Sequence, residues 1–377
     1  MTWVVPTELE EAVYASTRDV LGDAPLATGA LIRAIKDRSV RYTSERDKLS
    51  SPADRTADLA ARAMFFTVAD AIKIAIPLGE LAGRNALPAR RPLRIVDVGA
   101  GCGAMSLGIV STLVSDATGE AAFEILAIDR DVDALRIAAG ALRDLATRRH
   151  LVVGVTTRVA DVATTALPTA DLVVMGTVLN ELDPEARLDL VRRALAATAP
   201  DGAVILIEPA LRDTSRALHE LRDAVIRENL ATVFAPCTRT LAPCPMLEGP
   251  DDWCHEDRDV RLPPQTAELA RITHLRDSGL KFSYLVLRHD AAPLVDSAGA
   301  WRVVSAPFTA KGKQEVFGCS NGGRVSLRLL KRHRTEANRA FERARRGDVI
   351  VTDAQPGDER LEILGTSQLE RRQPAGR

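Results

Sequence analysis

Four of the five cysteines, Cys237, Cys244, Cys254 and Cys319, lie in the C-terminal half of the 377-residue chain. Three of them share one proline-rich stretch, APCTRTLAPCPMLEGPDDWCH. Thiolates gathered in this way hold a metal ion or an iron–sulfur cluster. Six residues separate Cys237 from Cys244, nine separate Cys244 from Cys254 and sixty-four separate Cys254 from Cys319, so the close pair of a zinc knuckle is missing. The fold must bring the fourth thiol back. Long spacings and adjacent prolines suit a cuboidal cluster in which each iron takes one thiolate. Four thiolates equally suit tetrahedral zinc, and His255 could replace one of them. Spacing alone leaves both open.

A second chemistry resides in the turn Asp97-Val98-Gly99-Ala100-Gly101-Cys102-Gly103. It follows an apolar strand and opens a helix, so its glycines let backbone approach a ligand and free amides meet the ligand's negative end. Gly99, Gly101 and Ala104 satisfy a loose dinucleotide fingerprint. Asp97, Gly99, Gly101 and Gly103 match the S-adenosylmethionine turn of methyltransferases. Asp129 closes the next strand, where a carboxylate can take both ribose hydroxyls, and Asp161 closes the third, where it can meet the adenine amino group. Each acid also reads as a plain helix cap, but three in register favour a cofactor site. After the fourth strand the chain reads GTVLNELDPEARLDL, which makes Asn180 and Glu181 the acceptor-handling candidates or, equally, capping residues. The turn that grips an exocyclic base amine and a cysteine nucleophile are both missing there. Cys102, inside the Gly turn, reads as a small packing residue.

The third feature is charge. Arg324, Arg328, Lys331, Arg332, Arg334, Arg339, Arg343, Arg345 and Arg346 face only two acids, Glu336 and Glu342, over the same stretch. The run predicts either phosphate binding on a basic helix or a solvated helical face.

Those groups need a scaffold, and the patterning predicts one. Residues 1–90 carry apolar positions at helical spacing and form an N-terminal helical region. From Leu93 to Glu208 short apolar strands (LRIVDVG, FEILAID, VTTRVAD, DLVVMGT, AVILIEP) alternate with helical stretches, predicting a parallel doubly wound α/β sheet. Residues 91–233 are the methyltransferase-like core, 234–265 the cysteine-rich segment, and 266–299 a final helix with the strand KFSYLVLRH. Residues 300–353 hold short antiparallel strands and the basic helix, and 354–377 form a polar tail expected to be disordered. A net charge of -1 and 46% hydrophobic residues indicate a globular chain with a full core. No apolar run approaches the roughly 18 residues of a membrane span, and the start lacks a secretory pattern. These features predict a cytoplasmic, reducing setting. Arginine far outnumbers lysine, which hints at a GC-rich bacterial gene.

The turn DVGAGCG, the segment VLNEL, the strand ILIEPA, the APC…PCP…DDWCH run, KFSYLVL, and CSNGGRV with a basic stretch ending in RARRGDVI occur in one order. Together, from about Arg41 to Ile350, they resemble the methyltransferase-like small-ribosomal-subunit assembly family that includes the yeast mitochondrial small-subunit Rsm protein and animal methyltransferase-like protein seventeen. The cysteine run and KFSY are its most specific parts, and the Gly turn is generic. Cys102 departs from the proline usual in the family. The resemblance implies a class I methyltransferase-like fold, S-adenosylmethionine at Asp97–Gly103, and a 4Fe-4S cluster on Cys237, Cys244, Cys254 and Cys319. It also implies work on the small ribosomal subunit and its 16S rRNA, with no role for DNA or membrane. The expected function is an RNA-binding assembly factor. The alternatives are an active rRNA methyltransferase and a small-molecule methyltransferase with a structural zinc site.

Overall fold

The computed structural model describes residues 2–43, 52–113, 122–276, 279–295, 299–357 and 360–373. Its centre is a sheet built from β1 (Leu93–Val98), β2 (Ala122–Asp129), β3 (Val152–Val159), β4 (Ala170–Gly176), β5 (Thr198–Pro209), β6 (Thr232–Ala235) and β7 (Leu280–Arg288). The strands lie in the order β3-β2-β1-β4-β5-β7-β6, and an eighth short strand, Glu256–Arg258, pairs antiparallel with the start of β7. All pairs from β3 to β5 are parallel, whereas β7 runs antiparallel to both β5 and β6. The order reverses between β1 and β4, and that is where an open α/β sheet leaves a crevice for a ligand.

Side-chain alternation explains why the sheet is covered twice. Ile95, Ile125, Leu172, Val174, Ile205 and Ile207 point into a core shared with the N-terminal helices. Val96, Val173, Met175, Val204 and Leu206 point the other way, against the helices Pro184–Ala197 and Arg212–Arg227. Each such aliphatic side chain contributes about 1.5–3 kcal/mol by leaving water. The N-terminal region is helical as expected, from Thr7–Leu21 through Ala75–Gly83, and is interrupted by a π-helical turn at Arg62–Thr67. Trp3–Val4 adds a small parallel pair with Val260–Arg261.

The C-terminal part is a second sheet: β8 (Ala300–Val303), β9 (Phe308–Ala310), β10 (Lys313–Ser320), β11 (Gly323–Leu330), β12 (Val349–Thr352), β13 (Arg360–Ile363) and β14 (Leu369–Arg372). Its order is β13-β11-β10-β8-β12-β14, with β9 beside β10. Two expectations are corrected here. The tail beyond Asp353 is ordered over most of its described residues, because Leu361 and Ile363 fill this sheet's own core; residues 374–377 lie outside the described ones. The basic run is also not one α-helix. Arg324 and Arg328 lie on β11, the strand that GRVSLRLL predicts, where Val325, Leu327 and Leu329 alternate inward, and in place of the helix expected after it come two short 3-10 turns, Lys331–His333 and Glu336–Arg343. Phe341, fully buried in the second core, is the main apolar anchor of that stretch, too little to stabilise an amphipathic α-helix.

Candidate functional site

The first site forms at the C-terminal ends of β1 to β4. A cleft of about 210 Å³ is lined by Gly99 to Cys102, Asp129, Ala160 to Val162, and Gly176 to Val178. Backbone geometry demands the glycines. Gly99 has φ +69, and a Cβ there would stand 2.4 Å from Val178 Cγ2; Gly101 has φ +52. Such angles favour glycine. Asp129 accepts from Gly101 N at 2.8 Å and Asp131 N at 2.9 Å, so the carboxylate is aimed along the cleft wall beside the Gly turn. Asp161 also lines the cleft, and its Oδ1 accepts from Ala163 N at 2.8 Å.

Two of the expected cofactor residues act from beneath. Asp97 is buried and not part of the lining; its Oδ2 accepts from Ser106 N at 3.1 Å and Ser106 Oγ at 2.6 Å. Burial pushes this carboxyl up to about 6, against the pull of both Ser106 donors. Asp97 therefore fixes the start of helix Ala104–Leu113 rather than facing the cleft. Gly103, with φ +88, lets that helix close on Ala138, which a Cβ would meet at 3.0 Å.

The acceptor candidates separate. Glu181 lines the cleft and pairs with Arg130 at 3.3 Å. Asn180 turns away, its Nδ2 donating to Glu208 Oε2 at 2.7 Å. Glu208 also accepts from Val178 N and Leu179 N at 3.1 and 2.9 Å, so it shapes the loop that carries Glu181. Burial pushes Glu208 up to about 7 despite those donors. Its place in ILIEPA gave no chemical signal in the sequence. Nor did the N-terminal wall of the cleft, formed by Arg38, Tyr42, Arg62 and Phe66. Arg62 reaches Asp131, the cap of helix Val132–Arg148, at 2.7 Å.

The second site collects the distant cysteines. Cys237, Cys244, Cys254 and Cys319 all line one cavity of about 40 Å³ between the main sheet and the C-terminal sheet. The helix Arg212–Arg227 is its platform. Arg216 donates to the carbonyls of Met246, Gly249 and Asp252 at 3.0, 2.7 and 3.0 Å. His219 Nε2 accepts from Cys254 N at 2.9 Å, Arg222 donates to the carbonyls of Arg239 and Leu241, and Asp223 accepts from Cys244 N at 2.8 Å. One helical face thus shapes the whole cysteine-rich segment. Burial, with Arg222 and Arg216 nearby, pushes His219 down to about 3, which keeps its ring neutral and able to accept.

Cys319 arrives from β10. Thr238 Oγ1 donates to Cys319 O at 2.8 Å, and Arg239 donates to Asn321 O at 2.6 Å. KFSY also has a reason. Ser283 Oγ donates to Cys254 O at 2.8 Å, and Tyr284 OH donates to Glu80 at 2.5 Å. Arg302, fully buried, joins Glu80 at 2.5 Å, Glu256 at 2.7 Å and Tyr284 at 3.1 Å. This quartet ties the N-terminal helices, the main sheet, the cysteine segment and β8 together at the cavity wall.

The cavity is thiol-rich and mostly apolar-walled. Burial, then neighbouring cysteines, pushes Cys244 up to about 11 and Cys319 up to about 12, and raises Cys254 well above the ordinary thiol range. These thiols hold their protons unless a cationic centre displaces them. No group of three or more His, Cys, Asp or Glu side chains that could hold a metal ion is found among the described residues. His255 stacks on Trp253 with ring centroids 6.0 Å apart.

The basic residues scatter. Arg324 pairs with Asp252 at 2.8 Å, Arg328 with Glu362, and Arg346 donates to His255 O at 3.3 Å. Arg334 pairs with Glu342, and Arg339 with Glu336 at 3.4 Å. Lys331, Arg332, Arg343 and Arg345 are exposed. Among the described residues, no helix is long and apolar enough to cross a membrane.

Comparison with known proteins agrees with this architecture at the level of the sequence family. No curated protein matches the chain significantly. Among solved structures, a Leishmania major S-adenosylmethionine-dependent methyltransferase is 15% identical, covering 69% of this chain and 82% of its own, with a TM-score of 0.37. A Synechocystis magnesium protoporphyrin IX methyltransferase with bound S-adenosylmethionine is 11% identical, covering 68% of this chain and 97% of its own, with a TM-score of 0.36. The family model described as mitochondrial small ribosomal subunit Rsm22 matches residues 62–350, which hold the Gly turn, the platform helix and all four converging cysteines. The chain belongs to the Rsm22 family.

Proposed function

We propose that this protein is a methyltransferase-like factor of the small ribosomal subunit that binds S-adenosylmethionine in the β1–β4 cleft, carries a 4Fe-4S cluster on Cys237, Cys244, Cys254 and Cys319, and binds rRNA. The observation that carries the reading is the convergence of four thiols, drawn from two distant segments, on one cavity inside the Rsm22 match. A zinc ion needs all four donors at about 2.3 Å from one centre. A cuboidal cluster takes one thiolate per iron and so accepts a wider set. The resemblance of the cysteine run to its family supports the cluster over zinc.

The cluster's part is structural in this reading: it would staple the C-terminal sheet to the main one. In the cleft, Gly99 to Cys102 would take the methionine end of the cofactor, Asp129 the ribose and Asp161 the adenine, and the cofactor would supply an electrophilic methyl group. Methylation of an rRNA base is the second reading. It is favoured by the cleft's extension past the Gly turn to Tyr42, Phe66 and Glu181.

The test begins with anaerobically purified protein. It should be brown with broad visible absorbance, and it should bind S-adenosylmethionine in calorimetry and co-sediment with small ribosomal subunits. A colourless protein with one stoichiometric zinc ends the cluster assignment, and subunit binding without cofactor binding ends the enzymatic reading alone.

A further inference from the structure

The C-terminal sheet has one face that changes character along its length. Residues opposite each other across strands share a face, and the register places Phe308 with Glu315, Ala310 with Lys313, Phe317 with Ser326, and Cys319 with both Arg324 and Arg302. At the Cys319 end this face lines the cysteine cavity, with Cys319 half-buried and Arg302 buried. Two residues along β10 it opens to solvent. There Phe317 is 49% exposed and Phe308 is 59% exposed, an unusual state for two large rings on one sheet face.

Cations surround the open end. Lys313 Nζ lies 5.5 Å from the Phe308 ring centre and Arg324 Cζ lies 5.6 Å from that of Phe317. Lys311 sits in the turn joining β9 to β10, and Lys331 N donates to Gly312 O at 2.8 Å, which sets Lys331 and Arg332 beside the same turn. Lys311, Lys331 and Arg332 are exposed. The acids on this face, Glu315 and Glu362, are engaged with Lys313 and Arg328, and Asp252 is engaged with Arg324. The turn therefore keeps an excess of positive charge next to two open rings.

We infer that Phe308 and Phe317, with Lys311, Lys331 and Arg332, form a binding site for unpaired RNA. The rings offer stacking platforms for two bases, and the cations hold the intervening phosphates. Diagonal neighbours across paired strands stand about 7–8 Å apart, within reach of successive nucleotides of an extended strand. A protein partner would favour rings without a surrounding cation excess. A duplex would offer phosphates and no open base to stack. This inference rests on the RNA-binding reading above and names where, and in which form, the RNA binds.

The experiment is anisotropy with a labelled twelve-nucleotide oligouridine and, separately, a labelled RNA hairpin, using the full chain. Phe308→Ala and Phe317→Ala should each weaken oligouridine binding roughly tenfold, the size of one lost stacked base, with the salt slope unchanged. Phe317→Trp should restore binding. Lys311→Glu with Lys331→Glu should lower both affinity and salt slope. Wild-type affinity in the alanine variants overturns the inference. So does loss of subunit co-sedimentation with oligouridine binding intact, which would make the face a protein dock. If the unaltered protein binds neither oligouridine nor small subunits, the RNA reading itself fails. If it co-sediments with subunits while the ring variants behave as wild type, only this inference fails.

Discussion

The glycine-turn cleft and the cysteine cavity are built on different principles. The sheet side of the cleft is local: its Gly turn, Asp129, Asp161 and Glu181 each follow a strand of the same sheet, and the N-terminal helices add the facing wall. The cavity is assembled. Its cysteines come from a long irregular segment and from β10, and a third element, the helix Arg212–Arg227, holds that segment in shape. A cleft of the first kind exists before its ligand arrives. On the proposed reading, a cluster held in the thiol cavity would add its binding free energy to that of folding.

If that contrast holds, the largest effect comes from the cavity. Cys254→Ser should bleach the purified protein and lower its melting midpoint by about 10 °C, taking a loss of a few kcal/mol at about 2–4 °C per kcal/mol for a domain of this size. S-adenosylmethionine binding measured on the same sample at low temperature should persist. Simultaneous loss of cofactor binding would show that the two sites fold as one unit.

Next in size is the buried quartet at the cavity wall. Arg302→Met leaves Glu80 and Glu256 without their shared partner, a change that costs about 3–5 kcal/mol when a buried ion pair is broken. Urea denaturation measures it. A loss under 1 kcal/mol would mean that the quartet relaxes and does not tie the regions together.

The cleft is expected to respond without global cost. Asp129→Ala should weaken S-adenosylmethionine binding by about 10–100-fold, equivalent to about 1.4–2.8 kcal/mol, while colour and melting stay near wild type. Calorimetry and absorbance on one preparation check both halves.

The smallest effect is a pH dependence beneath the cleft. Glu208 is raised from 4.5 to about 7 in the folded protein, so the folded state keeps a proton that the unfolded chain releases. Its contribution to stability is therefore fully present below pH 4.5 and is lost as pH rises to about 7. Glu208→Gln should flatten that part of the stability curve by about 1–3 kcal/mol, read from denaturant midpoints across this range. An unchanged slope would assign the pH dependence elsewhere.

Legibility in the sequence divided along the same line. The parallel strands of the main sheet and the Gly turn were readable, though not every strand boundary, because hydrophobic periodicity and glycine conformations are local properties. The roles of Asp97 and Asn180 were not, since motif position says nothing about which way a side chain turns: one anchors Ser106, the other Glu208. The basic run misled for a related reason. Charge density is visible in sequence, whereas the acids that absorb Arg324 and Arg328, Asp252 and Glu362, come from other segments.

By itself the sequence determined the element types of the N-terminal region and the parallel part of the main sheet, the glycine turn and the identity of the four thiols, because each is set by short-range pattern and residue chemistry. Only the tertiary structure decided that those thiols share a cavity, that one helical face shapes the segment carrying three of them, and that β10 presents a half-buried cysteine and an exposed phenylalanine two residues apart on one face. Such facts depend on contacts between residues tens to hundreds of positions apart, and no local pattern encodes them.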